Sequence, residues 1–358
     1  MSRIAILSFF SGITERGVET YVYEIGSRLA KKHRVTVFQA GNPTPFQKFA
    51  TRQVKFFGSA PKSGQGFLGK LYINWQSIKI LGFSLRAIPK FLKGKYQIVF
   101  ITNGGWQTVV YRIFTKITGA KIIIPGEAGI GADDAWNILF RPDAFIALTN
   151  SQAAWAKKLQ PEVRVEKIPN GVDLSRFHSK IPAKDINLPK PIVICTSALV
   201  PYKRVEATIK AVAKTKLSLL VLGDGELRGQ IDTIGKRYLG LRYKRKVVPY
   251  KDIPGYYKAG KVFTLASKTE AFGTSYIEAM ACNLPVVTTS DDSRAEIIAD
   301  AGILTDPENI NQYARDLEIA AKTDYKNKPY SQSTNFSWNK IAEKYILLIE
   351  DLLKKKHR

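Results

Sequence analysis

The sequence contains few of the residues that cross-link or ligate. Its 358 residues include 2 cysteines and 3 histidines, too few for a disulfide framework or a cysteine-rich zinc site. No uncharged apolar run reaches the roughly 20 residues that a membrane-spanning helix needs. The first apolar segment, Ile4 to Phe10, is short for a signal peptide and is typical of a first buried strand. We therefore expect a cytoplasmic protein with ordinary globular cores.

Acidic residues are absent from a long part of the N-terminal half. Between Ile25 and Gly126 there are 17 lysines and arginines and no aspartate or glutamate, within a chain of formal net charge +25. A single-sign field of this size favours anionic partners, because a surface that is only soluble usually mixes both signs. From charge alone, the partner could be anionic lipid, nucleic acid or an acidic substrate. The alternative is a basic protein whose charge serves only solubility.

One segment of this acid-free stretch has the pattern of a basic amphipathic helix. Residues 69–95 repeat apolar and aromatic side chains at helical spacing, with lysines and an arginine between them. Trp75 and Phe91 are of the type found in helices that lie in a membrane interface. The same pattern is typical of a helix that packs its apolar stripe into its own domain. Both alternatives stay open. If the helix lies in a membrane interface, we expect peripheral contact of the protein with the inner face of an anionic membrane.

Short apolar runs alternate with helical patterns along both halves of the chain. In the first half we predict strands at residues 3–10, 34–39, 97–102, 121–125 and 144–149, and helices at 18–32 and 152–159. In the second half we predict strands at 191–196, 217–222, 261–265 and 284–288, and helices at 205–214, 227–238 and 275–281. This alternation is typical of parallel βαβ units. It predicts an α/β protein with two Rossmann-like, doubly wound domains that face each other across a ligand cleft.

The most informative motif begins at Glu270, after a predicted strand. Gly273 lets the backbone approach a ligand, and Thr274 or Ser275 can cap the helix that begins there. The amides of a helix N-terminus suit a diphosphate. Glu278 lies one turn into that helix, where its carboxylate can accept hydrogen bonds from both hydroxyls of a ribose. The alternative for either glutamate alone is a cap or a solvated helix start.

This string, EAFGTSYIEAM, resembles the E-x7-E signature of retaining glycosyltransferases with the GT-B fold, in particular family GT4, the glycosyl transferases group 1. Three further segments resemble the family's junction, lysine loop and glycine turn: IPNGVDLSRF at 168–177, LVPYKR at 199–204 and GDG at 223–225. Gly17 stands in what resembles a shortened form of the family's N-terminal glycine loop. The resemblance covers nearly the whole chain and is weakest between residues 41 and 119, where acceptor-binding regions of the family vary.

The resemblance implies transfer of a sugar from a nucleotide diphosphate sugar with retention of the anomeric configuration. Residues 1–177 are then the acceptor-binding domain, 178–337 the nucleotide-sugar-binding domain, and 338–358 a helix that crosses back to the N-terminal domain. The donor is expected to be a UDP- or GDP-sugar. The acceptor is expected to be lipid-linked or a glycan, with a soluble small molecule as the alternative. Neither a cofactor nor a metal ion is expected, since the family resembles the metal-independent type and the sequence lacks Asp-x-Asp.

The resemblance also gives roles to individual residues. We expect Glu270, Lys203 and Glu127 to be catalytic, with Lys203 meeting the charge that develops on the departing diphosphate. Glu127 stands where the family often has a histidine, and it can bond a sugar hydroxyl or, if burial raises its pKa, take the acceptor proton. The alternative for Glu127 is a polar residue that caps the helix near Asp133. The donor is expected to contact Gly17, Lys203, Arg204, Gly223, Phe272, Gly273, Thr274, Ser275 and Glu278.

Two departures from the family pattern bear on activity. Ala198 replaces the family's usual arginine, and Glu127 replaces the histidine. A protein that binds a nucleotide sugar or a glycan without transferring sugar is therefore a rival hypothesis. Arg204 is a candidate substitute for the absent arginine, against the alternative that it is an ordinary surface residue. Nucleic acid is not an expected partner, because the basic half contains no known nucleic-acid module.

Overall fold

The structure is a computed structural model that describes residues 1–14, 17–43, 47–55 and 74–354. The chain divides into two compact units. Unit 1 comprises Met1–Asn170 and Trp338–Arg358, and unit 2 comprises Gly171–Ser337. The division falls after residue 170 and not after 177, since Val172 bridges to Ser337 and Phe177 packs on the Tyr250 ring within unit 2. Residues 355–358, the end of the helix predicted over 338–358, lie outside the described residues.

Unit 1 contains a parallel sheet with helices along it. The strands are β1 (Arg3–Ser8), β2 (Arg34–Gln39), β3 (Ala50–Gln53), β4 (Ile98–Ile101), β5 (Lys121–Pro125), β6 (Ala144–Ala147) and β7 (Val165–Lys167). The helices are α1 (Gly17–Leu29), α2 (Trp75–Gly94), α3 (Trp106–Thr118), α4 (Ala132–Leu139) and α5 (Asn150–Leu159). The strand order is β3-β2-β1-β4-β5-β6-β7. The order reverses between β1 and β4, so a ligand crevice is expected outside the carboxyl ends of the central strands.

Unit 2 repeats this architecture. Its strands are β8 (Ile192–Thr196), β9 (Ser218–Leu222), β10 (Tyr243–Lys246), β11 (Val262–Leu265), β12 (Val286–Thr289) and β13 (Gly302–Thr305). Its helices are α6 (Val205–Ala213), α7 (Arg228–Leu239), α8 (Ile253–Ala259), α9 (Thr274–Ala281), α10 (Asp292–Ile298), α11 (Ile310–Lys322) and α12 (Lys328–Ser333). The strand order is β10-β9-β8-β11-β12-β13, with parallel neighbours. Here the order reverses between β8 and β11.

The last helix, α13 (Trp338–Lys354), belongs to the core of unit 1. Its buried side chains recur at helical spacing, as the amphipathic pattern predicts: Trp338, Ile341, Ala342, Tyr345, Ile346, Leu348, Ile349 and Leu352. The rings of Trp338 and Tyr345 lie with centroids 6.2 Å and 6.1 Å from that of Tyr21 on α1. Unit 1 is therefore built from the two ends of the chain, and α13 covers apolar surface that α1 presents.

The predicted α/β class with two Rossmann-like units is confirmed. The strands at 34–39 and 121–125 match the prediction at both ends, and the others differ by a few residues. The central strands are apolar on both faces, as in β4, where all four residues are buried. That is typical of a parallel sheet covered by helices on both sides.

Helix α2 has two different faces, which bears on both alternatives for the basic amphipathic segment. Asn74 caps it by accepting a hydrogen bond of 2.8 Å from the Ser77 amide. The inward face is buried in unit 1, through Ser77, Ile80, Phe83, Ser84, Ala87 and Phe91. The outward face exposes large apolar side chains, namely Trp75, Ile78, Leu85 and Leu92. Residues 69–73 of the predicted helix lie outside the described part of the chain. In that described part, no helix combines the length and apolarity needed to cross a bilayer.

Candidate functional site

Two loops at the strand-order reversal of unit 2 bring together a cation and a carboxylate. Lys203 ends the short 3₁₀ turn after β8, and Glu270 follows β11. The Lys203 Nζ lies 2.5 Å from Glu270 Oε1, with the two side chains 15% and 12% exposed. The loops are also joined through the backbone, since the Lys268 amide donates to the Tyr202 carbonyl at 2.8 Å. Two predicted catalytic residues are thus neighbours because β8 and β11 are adjacent strands.

This ion pair provides charge of both signs in a largely enclosed position. Before a ligand binds, the Lys203 ammonium is partly neutralised by the Glu270 carboxylate. A diphosphate is a competing acceptor for the ammonium, and a sugar hydroxyl is a donor that the carboxylate can accept. A ligand that carries both a diphosphate and a sugar hydroxyl can therefore replace the bond between Lys203 and Glu270 with one bond to each residue.

Gly223 allows the loops after β8 and β9 to touch through their backbones. Its φ is +153°, and a β-carbon built on it would lie 1.8 Å from the Ser197 carbonyl oxygen. Beyond it, the Leu199 amide donates to the Asp224 carbonyl at 2.9 Å. Gly223 thus supports the loop that leads to Lys203, and its predicted contact with the donor stays a prediction.

The start of α9 presents backbone amides at the same end of the sheet. Gly273 precedes the helix with φ +86°, and an added β-carbon would lie 2.2 Å from the Tyr276 ring, so only glycine fits. Thr274 and Ser275 are half-buried in the first turn. The Phe272 ring is buried, with its centroid 5.7 Å from that of Phe336. The ring of Phe272 therefore serves packing, and a ligand contact at this residue would use its backbone.

Glu278 is buried on α9 beneath two tyrosines. The Tyr250 hydroxyl donates to Glu278 Oε1 at 2.5 Å, and the Tyr257 hydroxyl donates to Oε2 at 3.5 Å. Burial raises the pKa of Glu278 to about 7, although the bonds from the tyrosines lower it. Arg176 lies with its Cζ 5.2 Å from the centroid of the Tyr250 ring. The motif identified Glu278, but the residues around it come from other segments with no local signal.

Arg204 is engaged by the protein itself. Its Nε donates to the Ala266 carbonyl at 2.6 Å, and its Nη2 donates to Thr289 Oγ1 at 3.2 Å. Its Nη1 donates to Glu308 at 3.2 Å. The guanidinium thus joins the carboxyl ends of β11 and β12 and the loop after β13. Arg204 is therefore not an ordinary surface arginine, and its side chain is already hydrogen-bonded within the protein.

A buried arginine that the sequence analysis did not single out supports the loop before Glu270. Arg294 is 2% exposed and donates to the Ser267 carbonyl at 2.9 Å and to the Tyr276 hydroxyl at 3.2 Å. It also forms an ion pair with Asp291. These bonds fix the chain at Ser267, which follows β11 and lies three residues before Glu270.

Glu127 lies in unit 1, after β5, with one oxygen paired and one not. Its Oε2 accepts from Asn170 Nδ2 at 2.9 Å, and its Oε1 is buried without a hydrogen-bond partner among the described residues. Burial raises the pKa of Glu127 to about 7. Its carboxylate does not cap α4, whose N-cap is Gly131 without a side-chain cap bond. The capping alternative is therefore wrong, and Glu127 is an unsatisfied acceptor that can take up a proton near neutral pH.

A cavity of about 250 Å³ lies beside Glu127 within unit 1. It is formed by the start of α2, the loops after β4 and β5, and α4, so it lies at the carboxyl end of the sheet. Its polar lining includes Asn74, Gln76, Ser77, Asn103, Trp106, Glu127, Asp133, Asp134 and Asn137. Asp134 is buried, which raises its pKa to about 8, and its Oδ2 accepts from Gln152 at 3.1 Å. Sequence reasoning found Glu127 here and missed Asp134 and Asn137.

Gly17 is the predicted donor contact that belongs to unit 1. It is exposed at the start of α1, and a β-carbon built on it would meet open space. Its backbone can thus reach a ligand at a helix N-terminus, and its role stays a prediction. Within the described ranges, no three His, Cys, Asp or Glu side chains are placed to hold a metal ion.

Two sequence models of known families match adjacent parts of the chain. The model described as Glycosyltransferase Family 4 matches residues 16–176. The model described as Glycosyl transferases group 1 matches residues 177–351. Together they extend over both units.

Several curated proteins are similar in sequence. Spore coat protein SA of Bacillus subtilis is 30% identical over an alignment that covers 93% of this chain and 94% of that protein. O-antigen chain mannosyltransferase B of Escherichia coli is 30% identical over 115 residues, or 31% of this chain and 29% of that protein. A GDP-mannose-dependent phosphatidylinositol monomannoside mannosyltransferase of Mycolicibacterium smegmatis is 26% identical over 42% of this chain and 44% of its own. The chain thus spans less than half the length of the two mannosyltransferases.

Solved structures share the whole fold. Sucrose-phosphate synthase from Thermosynechococcus elongatus superimposes with a TM-score of 0.80 at 20% identity, over 99% of this chain and 100% of that one. Anabaena HepE in complex with UDP and glucose superimposes with a TM-score of 0.75 at 17% identity, over 98% of this chain and 100% of that one. At these identities the likeness concerns the fold.

Proposed function

Because the chain belongs to the family 4 glycosyltransferases, the glycosyl transferases group 1, we propose that it moves a sugar from a UDP- or GDP-sugar to a lipid-linked or glycan acceptor, with retention of configuration. The observation that carries the proposal is the pair formed by Lys203 and Glu270 at the strand-order reversal of unit 2. Glycosyl transfer with a diphosphate leaving group needs a cation for the phosphates and an acceptor for the sugar hydroxyls. This pair holds one of each, 2.5 Å apart.

The other donor contacts in the proposal come from the same end of unit 2. The amides at the start of α9 bind the diphosphate, and the Glu278 carboxylate accepts from the ribose hydroxyls. Both nucleotides have support among similar proteins, since the Mycolicibacterium relative is GDP-mannose-dependent and the HepE structure contains UDP and glucose. A UDP-sugar and a GDP-sugar are therefore both candidate donors.

Ala198 favours one rival, a protein that binds nucleotide sugar without transfer. It is exposed two residues after the end of β8, and its methyl group can neither donate a hydrogen bond to a phosphate nor offset its charge. The proposal requires that Lys203 and the α9 amides together stabilise the leaving diphosphate, since the side chain of Arg204 is bonded to Ala266 and Thr289.

Acceptor-dependent release of UDP or GDP tests the proposed transfer. The purified protein is incubated with UDP- and GDP-hexoses, with and without a panel of glycolipid, glycan and soluble acceptors, and free nucleotide is measured. We expect release with one nucleotide, and only when an acceptor is present. Tight nucleotide binding in calorimetry without release across the panel would instead identify the binding-only rival.

We also propose that the exposed face of α2 contacts an anionic membrane. Trp75, Ile78, Leu85 and Leu92 are spaced by three, seven and seven residues, so they form one stripe along the helix, and Trp75 is 77% exposed. A basic residue directly follows three of these apolar residues, since Lys79, Arg86 and Lys93 stand after Ile78, Leu85 and Leu92. An apolar stripe with cations along one edge suits the headgroup region of an anionic bilayer.

Co-sedimentation with vesicles tests this contact. We expect the protein to pellet with phosphatidylglycerol vesicles at low salt, and less at high salt or with phosphatidylcholine. The double change Trp75→Ser and Leu85→Ser should weaken binding by roughly a hundredfold or more, because the two side chains together lose about 3–6 kcal/mol of burial. Leu347→Ser is the matched control, an exposed leucine on α13, and should bind as the unchanged protein does. Equal binding by the double variant would overturn the proposal. So would size-exclusion chromatography that finds the unchanged protein dimeric and the double variant monomeric, since the stripe would then be a contact between two copies of the chain.

A further inference from the structure

The hydrogen-bonded side chains of Glu127 and Asn170 each keep a second oxygen that has no donor in the described part of the chain. Glu127 Oε2 accepts from Asn170 Nδ2 at 2.9 Å. The remaining oxygens, Glu127 Oε1 and Asn170 Oδ1, have essentially no accessible surface and no hydrogen-bond partner among the described residues. A buried acceptor without a partner costs free energy, and folded proteins normally avoid that cost. Two such acceptors on directly bonded groups point to a shared partner.

A single proton can serve both oxygens. A carboxyl group and a carboxamide are planar groups of similar shape, and a protonated carboxyl has one O–H donor beside one acceptor oxygen. Such an acid can accept from the amide N–H with one oxygen and donate to the amide carbonyl with the other, which closes a ring of two hydrogen bonds. An ionised carboxylate only accepts, so it would leave Oε1 and Oδ1 without a donor.

The surroundings of Glu127 also favour its neutral form. Within the described residues, the titratable side chains that act on its charge include no cation, and they are Glu19 and Tyr21 on α1, Asp134 on α4 and Tyr345 on α13. Burial raises the pKa of Glu127 to about 7, although the bond from Asn170 Nδ2 lowers it. A bond that the acid donates to Asn170 Oδ1 would stabilise the neutral form further.

The pair joins a loop of unit 1 to the end of that unit. Asn170 is 3% exposed and is the last residue before the chain enters unit 2. Glu127 lies in the loop after β5, beside the cavity of unit 1. Gln152 holds the same loop by donating to the Gly126 carbonyl at 2.8 Å. Glu127 therefore links this loop to the place where the chain leaves unit 1.

We infer that Glu127 is a carboxylic acid at neutral pH, that its Oε1 donates to Asn170 Oδ1 while its Oε2 accepts from Asn170 Nδ2, and that this neutral pair anchors the end of unit 1. The proton comes from solvent and returns to solvent when Glu127 ionises. Ionisation replaces one of the two bonds with a contact between two acceptors, which weakens the anchor. Glu127 is therefore a positioning residue, and its carboxyl is not a free base for an acceptor hydroxyl. The inference does not depend on the proposed transfer.

The pH dependence of unfolding tests the inference. All five tryptophans of the chain lie in unit 1, so tryptophan fluorescence follows the unfolding of this unit in urea. Glu127→Gln mimics the neutral acid at every pH, because its amide can donate to Asn170 Oδ1 and accept from Nδ2. At about pH 5 we expect this variant and the unchanged protein to be similarly stable.

The two proteins should diverge as the pH rises. An acid whose pKa is raised by folding loses stability about tenfold per pH unit between its unfolded and folded pKa values. The unfolding constant of the unchanged protein, relative to that of Glu127→Gln, should therefore rise roughly a hundredfold between about pH 5 and 7. A ratio that stays constant over this range would show that Glu127 has an ordinary pKa and would overturn the inference. A Glu127→Gln variant that does not fold would also contradict it, since the amide should replace the acid in both bonds.

Two further variants identify the partner of the proton. Asn170→Leu removes both bonds, so at about pH 5 it should raise the unfolding constant roughly tenfold or more, and equally in the unchanged protein and in Glu127→Gln. Unequal losses would place the proton on another acceptor and overturn the inference. Asp134→Asn is the matched control, because it removes the charge of another buried carboxyl of unit 1. In that background the ratio between Glu127 and Glu127→Gln should change with pH as before, and its loss would assign the effect to Asp134 instead.

Discussion

Replacing Glu270 with glutamine is expected to lower kcat for sugar transfer by about 10²–10³-fold, the usual effect of removing one preorganised electrostatic contact. The variant keeps the shape of the side chain but removes the charge that pairs with Lys203 at 2.5 Å. Lys203→Ala is expected to have an effect of similar size, because it removes the cation proposed to stabilise the departing diphosphate. Steady-state kinetics with the identified donor and acceptor measure both.

The two changes should be strongly non-additive. Since each residue is the other's partner, the double variant should lose little more than the worse single variant. Asp232→Asn is the matched control, because it breaks another ion pair of unit 2, with Arg245 Nε 2.9 Å from Asp232 Oδ1. That variant should keep kcat near the original value. Additive losses, or an equal loss in the control, would contradict the proposed joint role of Lys203 and Glu270.

Replacing Glu278 with glutamine is expected to raise the Kd for the nucleotide sugar by roughly 10–100-fold at pH 8. The reason is the loss of a charged acceptor for a ribose hydroxyl, and a hydrogen bond to a charged group contributes about 1.5–3 kcal/mol. The pKa of Glu278 is raised to about 7 by burial, so the carboxyl is protonated below that pH and ionised above it. In the unchanged protein, Kd should therefore fall as pH rises through about 7.

Calorimetry of nucleotide-sugar binding between about pH 6 and 8.5 separates this effect from general damage, since the diphosphate diester does not titrate in that range. The Glu278→Gln variant should show no fall of Kd around neutral pH. Tyr250→Phe removes the hydroxyl that donates to Oε1 at 2.5 Å. Because that bond lowers the pKa of Glu278, its removal should shift the midpoint of the pH dependence upward. A flat pH profile in the unchanged protein would contradict the role given to Glu278.

The amino-acid pattern predicted the elements whose signal is local. Strand β5 is a nearly uninterrupted apolar run, and β2, which reads Arg-Val-Thr-Val-Phe-Gln, is rich in β-branched residues. Helix α13 is amphipathic, so neighbouring residues suffice to identify all three. Several elements were not predicted, including α3, α8 and β10. The strand β10 reads Tyr-Lys-Arg-Lys, and its pairing with β9 at the edge of the sheet, not apolar periodicity, makes it a strand.

The sequence by itself determined the two-domain α/β class, the family resemblance and the candidates Lys203, Glu270, Glu278 and Glu127, because short motifs and residue spacing carry that information. Only the tertiary structure decided which of these groups meet. Lys203 and Glu270 are 67 positions apart and become partners through strand order. The tyrosines over Glu278, the bonds that engage Arg204 and the acidic lining of a cavity in a basic domain have the same origin. The net charge of a sequence segment sums residues that lie on different surfaces in the folded protein. The charge of a site depends only on the groups within a few ångströms of it.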